Sequence, residues 1–442
     1  MSGQAQTGER APSGDSAAEP ADRPAPVAFR PLRPTAPLCI PLSGNFKPEE
    51  IVPKPPGTIV ARGESLAEKY PDSATAPLAP VAGRIVGIGS AKISSRLTVP
   101  GIFLEPDPNV PAPPPIVCAD AGAIPAMIRR LSQIGLAAGI ERMRSAGIWA
   151  ERWTTPDLLG QLRNCLRKPV DIILCDALDE TPELLLHHRV AATWPVELTA
   201  GVLALAVLTN AARASAVLAA YGDAGAWDAM RRATANTRLK LAPLADHYPQ
   251  SHPSLLIHEL TGRHSRPARL PAESGALVIG APAAVAIGRC FLKDEPMLDV
   301  PMGLHDRSRG KTHWLSVPVG MAWSAVLSEL SISSPGLELR CGNPLREVKV
   351  STDCIISGGD LSVTAAPFQR YINPDPCIRC AWCVEGCPVS IQPAGLLEAA
   401  QQDDPFLAEQ YGLDACIECG ICSYVCPSHL PILQGIRKLR EK

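Results

Sequence analysis

Two segments near the end of the chain repeat one cysteine spacing, and that repetition constrains the fold more than any other feature. Cys377, Cys380, Cys383 and Cys387 are followed by Pro388, and Cys416, Cys419, Cys422 and Cys426 are followed by Pro427. The steps in each copy are two, two and three intervening residues, with 28 residues between the copies. Steps of two let three thiolates close around an inorganic cube while the intervening backbone N–H groups point at the sulfurs, and the fourth cysteine, ahead of proline, turns away to serve the other cube. The spacing therefore predicts two [4Fe-4S] clusters with crossed ligation. Cys377, Cys380, Cys383 and Cys426 hold the first, and Cys416, Cys419, Cys422 and Cys387 hold the second. A pair of structural zinc sites is the alternative, but zinc ligands more commonly arrive as two separated CxxC pairs, often with histidine.

At 442 residues the chain exceeds what one core serves and suggests about three or four units. The other seven cysteines, Cys39, Cys118, Cys165, Cys175, Cys290, Cys341 and Cys354, are scattered singly and read as small core residues in a reducing compartment. A formal charge of −2 provides no general field for nucleic acid. The first fifteen residues lack the apolar stretch of a secretory signal, so a cytoplasmic protein is expected. The best candidate for a membrane span, Leu198 to Leu208, has about half of the roughly 20 residues a bilayer requires and reads as a buried helix.

Composition and periodicity divide the chain. Residues 1–37 are rich in Ala, Pro, Gly and Ser and read as a disordered tail. Residues 38–105 alternate short β-branched runs with turn signals, as in a small β-sandwich or barrel. The proline-dense stretch 106–116 reads as a stiff linker. In 117–298 helical periodicity over Ala123 to Arg144, a buried strand at Val170 to Leu174, a helix over Val196 to Tyr221, strands at Leu239 to Leu241 and Ala276 to Ile279, and a helix from Pro253 to Leu260 predict an α/β layer structure. Residues 299–364 read as a compact α+β module: strands at Trp314 to Pro318, Leu337 to Arg340 and Val348 to Ser351 surround a helix at Met321 to Leu330. The cysteine-bearing domain occupies 365–442, with a helix expected from Pro393 to Gln402.

This order of parts, and above all the stretches Cys377 to Pro388 and Cys416 to Pro431, resembles the RnfC family, the C component of the Rnf electron-transport complex. The resemblance implies an N-terminal barrel-sandwich hybrid domain, a Rossmann-like flavin- and NADH-binding domain similar to the large flavoprotein subunit of complex I, a soluble-ligand-binding β-grasp module, and a ferredoxin-like domain with two [4Fe-4S] clusters. It also implies a peripheral place on the cytoplasmic membrane face, beside integral subunits that couple electron transfer to ion translocation. Ala61 to Ala67 and Ala79 to Val86 look like the paired strands of biotinyl and lipoyl domains. No lysine is placed at the tip between them, so a docking role is expected there.

Three motifs of the middle domain depart from the family. A Gly-Gly-Ala-Gly-Phe-Pro-Thr type phosphate loop corresponds to Gly147 to Pro156, where Trp149 and Trp153 stand in place of glycines and Glu151 brings a carboxylate; a phosphate needs unobstructed backbone N–H groups. An Asn-Gly-x-Glu-Cys-Glu-Pro type turn appears as Asp176 to Pro182, where Asp179 and Glu180 read as a charged helix start. Tyr-Pro-Gln-Gly-Gly appears as Tyr248-Pro249-Gln250-Ser251-His252. FMN and NADH are accordingly not expected to bind. His187, His188 and His313 read as ordinary structural histidines, and no catalytic triad or phosphate loop stands out.

Two adjacent cubes make a one-electron wire and not a site that transforms a substrate. Arg379 in the first ligand loop and Glu418 in the second predict a higher potential for the first cluster, because a cation favours the more negative reduced state. Trp382 and Tyr424 are expected to shield the clusters. The expectation is an electron-transfer subunit of a membrane-associated Rnf-type complex, whose partners are its integral and other subunits. An NADH-oxidising flavoprotein and a structural adaptor are the alternatives.

Overall fold

The computed structural model describes residues 28–42, 50–72, 74–94, 98–109, 117–148, 158–179, 184–220, 224–245, 247–267, 269–333, 336–346, 348–357, 362–368 and 372–441. Most of the expected tail (1–27), most of the linker (110–116), the altered phosphate loop from Trp149 to Pro156, and Glu180 to Pro182 lie outside them.

The chain begins with short strands. β1 (Arg30–Pro31), β2 (Leu38–Pro41), β3 (Val52–Pro53), β4 (Ile59–Val60), β5 (Ala67–Lys69), β6 (Gly83–Lys92) and β7 (Thr98–Pro106) precede the first long helix. An antiparallel sheet runs in the order β2-β7-β6-β4, beside a separate β3-β5 pair. Lys69, between the two lipoyl-like segments, lies opposite Val52 within that pair and not at a turn.

Residues 28–37 differ from the tail expected there. β1 pairs in parallel with residues 315 and 316, Leu32 is fully buried, and Phe29 stacks on Trp194 at 4.8 Å. Two large apolar side chains suffice to anchor the segment because their partners lie far along the chain.

The α/β layer contains α1 (Ile124–Ser145), α2 (Leu158–Cys165), β8 (Ile172–Asp176), α3 (Leu186–Thr193), α4 (Pro195–Leu208), β9 (Arg213–Ala219), α5 (Ala224–Thr234), β10 (Lys240–Leu244), α6 (Pro253–Thr261), β11 (Ala276–Gly280) and α7 (Ala281–Lys293). Its four strands are all parallel, in the order β10-β9-β8-β11. β8 and β11 are buried at every position, as expected of strands covered by helices on both faces. The strand order reverses beside β8, so the crevice at the carboxyl ends of β8 and β11 is where such a sheet would take a ligand.

The helix expected over Val196 to Tyr221 stops at Leu208. Thr209 closes it, Asn210 takes a positive φ of 54°, and Arg213–Ala219 becomes β9 between two parallel neighbours. A continuous apolar run fits both a buried helix and a buried strand, and tertiary pairing decides between them. α4 is almost wholly inside the core and crosses α7 at close range. A Cβ on Gly201 would fall 1.9 Å from the Ala284 carbonyl oxygen, and one on Gly288 1.9 Å from that of Glu197. No single described helix is long and apolar enough to cross a membrane; α3 and α4 together have the length and composition but meet at 97°.

β12 (Asp299–Asp306), β13 (Lys311–Pro318), α8 (Trp323–Glu329), β14 (Leu337–Cys341), β15 (Val348–Val350) and β16 (Ser362–Pro367) form the third unit. Its sheet runs β1-β13-β12-β16-β14-β15, so the amino-terminal segment supplies one edge. One apolar cluster joins Leu38, Ile40, Val60 and Ile102 of the first unit to Met302, Leu315, Trp323 and Val363 of the third. Stretches about 200 residues apart in sequence therefore share a core.

The last unit holds α9 (Trp382–Glu385), α10 (Pro393–Gln402), α11 (Pro405–Gln410), α12 (Ile421–Tyr424) and α13 (Ile432–Arg440). α10 and α13 pack around Leu396, Leu397, Ile432 and Ile436, which places the two cysteine loops side by side.

Candidate metal centres

The two cysteine repeats adopt the same backbone path. Positive φ angles occur at Arg379 (56°), Ala381 (64°) and Ser390 (54°), and again at Glu418 (53°), Gly420 (80°) and His429 (51°). Measured from the first cysteine of each copy, the three positions coincide. Left-handed residues between right-handed ones turn successive N–H groups inward and make an anion-binding nest. The Arg379 N–H donates to Cys377 Sγ and the Glu418 N–H to Cys416 Sγ, each at 3.4 Å. The Ala394 N–H, in the first turn of α10, bonds the Cys383 thiol and favours its ionised form, as a helix N-terminus does.

Cys377, Cys380, Cys383 and Cys426 line one cavity of about 210 Å³, closed by Ile378, Val384, Ala394 and Leu430. The proline-following cysteine of the second copy thus faces the triad of the first. Burial raises the Cys383 thiol, and the charges of Cys380 and Cys426 add to the rise. The second set mirrors this arrangement. Burial pushes the Cys422 thiol up to about 12, with Cys419, Cys416 and Cys387 adding to it, and burial raises Cys416 to about 11. Cys387 also bears on Cys419. Thiols that resist ionisation in an apolar setting become thiolates when a metal takes the proton's place.

Among the described residues no three His, Cys, Asp or Glu side chains close on a point that a lone ion could occupy. A single tetrahedral zinc would draw its sulfurs to about 3.8 Å from one another, given a Zn–S distance near 2.3 Å. A cube holds its four sulfurs further apart, around a volume and not a point. The donor set, the nests and the cavity fit a [4Fe-4S] cluster.

The two sets differ in their surroundings. Cys377 is exposed, while Cys416, Cys419 and Cys422 are buried. Trp382 and Tyr424, expected to shield the clusters, are 54% and 74% exposed and do not line the first cavity, whereas the exposed Ile378 does. The charge asymmetry expected from Arg379 and Glu418 meets a further pair of charges. Glu418 is paired with Arg437 at 3.4 Å and Arg440 at 2.5 Å, so it does not act on the second set as an isolated anion. Both arginines come from α13 and are invisible to a reading of the ligand loop alone.

The second set is enclosed by distant parts of the chain. Arg437 donates to the Arg346 carbonyl at 2.8 Å, Arg440 to that of Cys416 at 2.6 Å, and Tyr248 Oη to that of Cys419 at 2.6 Å. Nothing in the cysteine spacing pointed to Tyr248, which the sequence offered only as part of an altered motif.

At the carboxyl end of β8 the described residues bring side-chain acceptors to backbone N–H groups. Asp179 accepts from the His187 and His188 N–H groups at 2.7 and 3.0 Å, so a carboxylate of the chain itself occupies the amino end of α3. This is the charged helix start the sequence suggested, reached from outside the helix. Asp176, fully buried at the end of β8, accepts from the Leu178 N–H. His252 caps α6 through Nδ1. Burial pushes the Asp179 carboxyl above its ordinary value, while the two histidine N–H groups favour its ionised form.

Fold and site together define an iron–sulfur dicluster protein joined to a flavoprotein-like α/β domain. The family model described as "4Fe-4S dicluster domain" matches residues 369–427, and that described as "Nuo51 FMN-binding domain" matches residues 160–289. The chain is 26% identical over 220 residues to the C component of the ion-translocating oxidoreductase complex of Pasteurella multocida, covering 46% of this chain and 25% of that protein. To the C component of the Na(+)-translocating ferredoxin:NAD(+) oxidoreductase complex of Acetobacterium woodii it is 22% identical, covering 53% and 54%. To the C component of the ion-translocating oxidoreductase complex of Rhodobacter capsulatus it is 25% identical, covering 87% and 73%. Over most of its length the chain is thus similar to the C components of ion-translocating oxidoreductase complexes. It spans between a quarter and about half the length of the first two of these relatives. A solved NAD+-reducing [NiFe]-hydrogenase in the air-oxidized state is similar at 15% identity and a TM-score of 0.46, over 69% of this chain and 54% of that one.

Proposed function

We propose that this chain is an electron-transfer subunit that relays single electrons through two [4Fe-4S] clusters within an Rnf-type oxidoreductase complex coupled to ion translocation. The observation that carries the reading is the common cavity of Cys377, Cys380, Cys383 and Cys426, which joins three thiols of one repeat to the fourth of the other. Cys377, Cys380, Cys383 and Cys426 hold the first cluster, and Cys416, Cys419, Cys422 and Cys387 the second. Each cluster, when present, takes up one electron, and the chain's own groups set how readily through N–H bonds to sulfur, burial and nearby charge. The exposed Ile378 at the first cavity, with the exposed Trp382 and Tyr424 of the two ligand loops, is where a partner meets the chain, since apolar surface beside a redox site favours protein contact. The partners are the integral and other subunits of the complex, and they hold the chain on the inner face of the cell membrane.

In this reading the first unit is a barrel-sandwich hybrid and the third a β-grasp module, both serving docking. The unit boundaries fall near residues 38, 105, 117, 298, 364 and 442. The middle domain retains the flavoprotein-like fold without FMN or NADH, a reading supported by the sequence, where the glycines of the phosphate-loop and Tyr-Pro-Gln-Gly-Gly motifs are replaced at Gly147 to Pro156 and at Ser251-His252. Anaerobic purification with iron, sulfide and flavin counted per chain tests this. About eight irons and no flavin are expected, two cubes of four; iron-free protein overturns it. The match of residues 160–289 to an FMN-binding domain favours a second reading, an NADH-oxidising flavoprotein. One flavin released per chain on denaturation, with NADH-dependent reduction of the clusters, would establish that one instead.

A further inference from the structure

The loop after β10 is drawn toward the second set of cysteines. Tyr248 Oη donates to the Cys419 carbonyl at 2.6 Å, near the short end of the O–H···O range, across 171 residues of sequence. Four residues on, His252 is buried, and Arg346 and Arg440 bear on it. The same two arginines bear on the second set, Arg346 on Cys419 and Arg440 on Cys416. The hydrogen bond from Tyr248 thus joins this loop to the second ligand set, and two arginines lie near enough to act electrostatically on both. Cys380 holds the equivalent place in the first repeat.

We propose that Tyr248 is a positioning residue for the second cluster: its hydroxyl fixes the peptide between Cys419 and Gly420 and raises that cluster's reduction potential relative to the first. The inference rests on the proposal that the eight thiolates hold two clusters. The physical argument is electrostatic. The hydrogen of the Tyr248 hydroxyl carries the positive end of a dipole aimed at a ligand's backbone, and the set is buried, so little water screens it. A positive dipole end favours the more negative reduced state and leaves the oxidised state less affected. Reduction needs no bond to form or break here; one electron enters the cube and the dipole stabilises the added charge.

The experiment is an EPR-monitored redox titration of the anaerobically prepared full chain and two variants, with iron counted for each. Tyr248→Phe retains the ring and removes the donor. At a fixed potential its second cluster should be about threefold less reduced, roughly 30 mV at 59 mV per decade, while the first cluster keeps its midpoint. Site-specific 3-fluorotyrosine at 248 retains shape and strengthens the donor, so it should move the same midpoint upward. Unmoved midpoints at full iron, equal movement of both clusters, or a shift of the same sign in both variants overturns the proposal. Loss of iron from Tyr248→Phe with no shift in the fluorinated protein would reduce the tyrosine to a structural prop and also overturns it. Wild-type protein without two reversible signals would instead refute the cluster reading, and this inference with it.

Discussion

Replacing Gly420 with alanine separates the two cysteine repeats more cleanly than any change to a ligand. Gly420 and Ala381 hold the same position in their repeats and the same left-handed backbone, with φ of 80° and 64°. An L-residue pays roughly 1–2 kcal/mol for that conformation, a cost Ala381 already bears. Gly420 differs in its neighbour: an added Cβ would stand 2.1 Å from the Leu345 carbonyl oxygen and 2.8 Å from its carbon. Backbone cannot rotate away as a side chain can. Ordinary contact needs more than about 3 Å, so the turn would have to retreat by about 1 Å. That turn is held by the Leu345 N–H on Asn343 Oδ1 at 2.8 Å and by Arg437 on the Arg346 carbonyl at 2.8 Å. Overpacking of this kind costs about 1–3 kcal/mol, so the total is about 2–5 kcal/mol, concentrated on the loop between Cys419 and Cys422.

Gly420→Ala should therefore retain about four irons per chain where the wild type holds about eight, and should lose one of two EPR signals. Ala381→Gly is the control. Relief of the left-handed strain, roughly 1 kcal/mol, is offset by the glycine's greater entropy in the unfolded chain, and both clusters should persist. A Gly420→Ala protein that keeps all its iron, or that loses both clusters at once, would refute the reasoning, because the first set has no share in the Leu345 contact.

Glu418→Gln leaves Arg437 and Arg440 beside the second set without their counter-ion, so that cluster's midpoint should rise, by less than the roughly 59 mV decade because these side chains remain partly solvated; a falling midpoint in an EPR titration would contradict this. Burial first, and Arg346 and Arg440 next, hold His252 down to about 3 from 6.5, so it is neutral in the fold. Below about pH 6.5 the unfolded chain takes up a proton that the folded chain refuses, and stability is lost as pH falls from about 6.5 toward 3, at up to about 1.4 kcal/mol per pH unit. His252→Asn, which keeps an acceptor for the Ser254 N–H, should flatten that slope in urea melts between about pH 7 and 5, and an unchanged slope would count against the assignment. Gly201→Val forces a side chain against the Ala284 carbonyl at the α4–α7 crossing and should cost about 3 kcal/mol or more, read as a lower thermal midpoint; a midpoint equal to the wild type's would refute the close-approach argument.

The grouping of Cys377, Cys380 and Cys383 was legible because it is local, fixed steps along the backbone turning three sulfurs to one volume, and Cys426 lines the same cavity, where the repeat of the spacing led one to expect it. The parallel strands were legible as apolar runs, apart from β9, where helix and strand look alike until a neighbouring strand is present. What stayed hidden was long-range. Phe29 and Leu32 lie in a stretch poor in large apolar residues, yet they are buried against partners far along the chain. Arg437 and Arg440 look like the basic end of an amphipathic helix, and only the folding of α13 back over the second loop turns them into partners of Glu418.

The same distinction explains why two loops of equal spacing are not equivalent. Their shared left-handed positions are a local property, repeated in both copies, and they make each loop able to cradle sulfur. Their differences come from what packs on them. The second loop meets Leu345, Arg346, Tyr248 and α13, and its first three cysteines are buried. In the first loop Cys377 and Ile378 face solvent. Burial disfavours the extra negative charge of a reduced cluster, whereas the arginines and the tyrosine hydroxyl favour it, so the enclosed site sets burial against charge while the open one has neither at full strength. In the proposed relay, the protein itself would fix the potential at the enclosed site, while the open one would remain sensitive to what docks there.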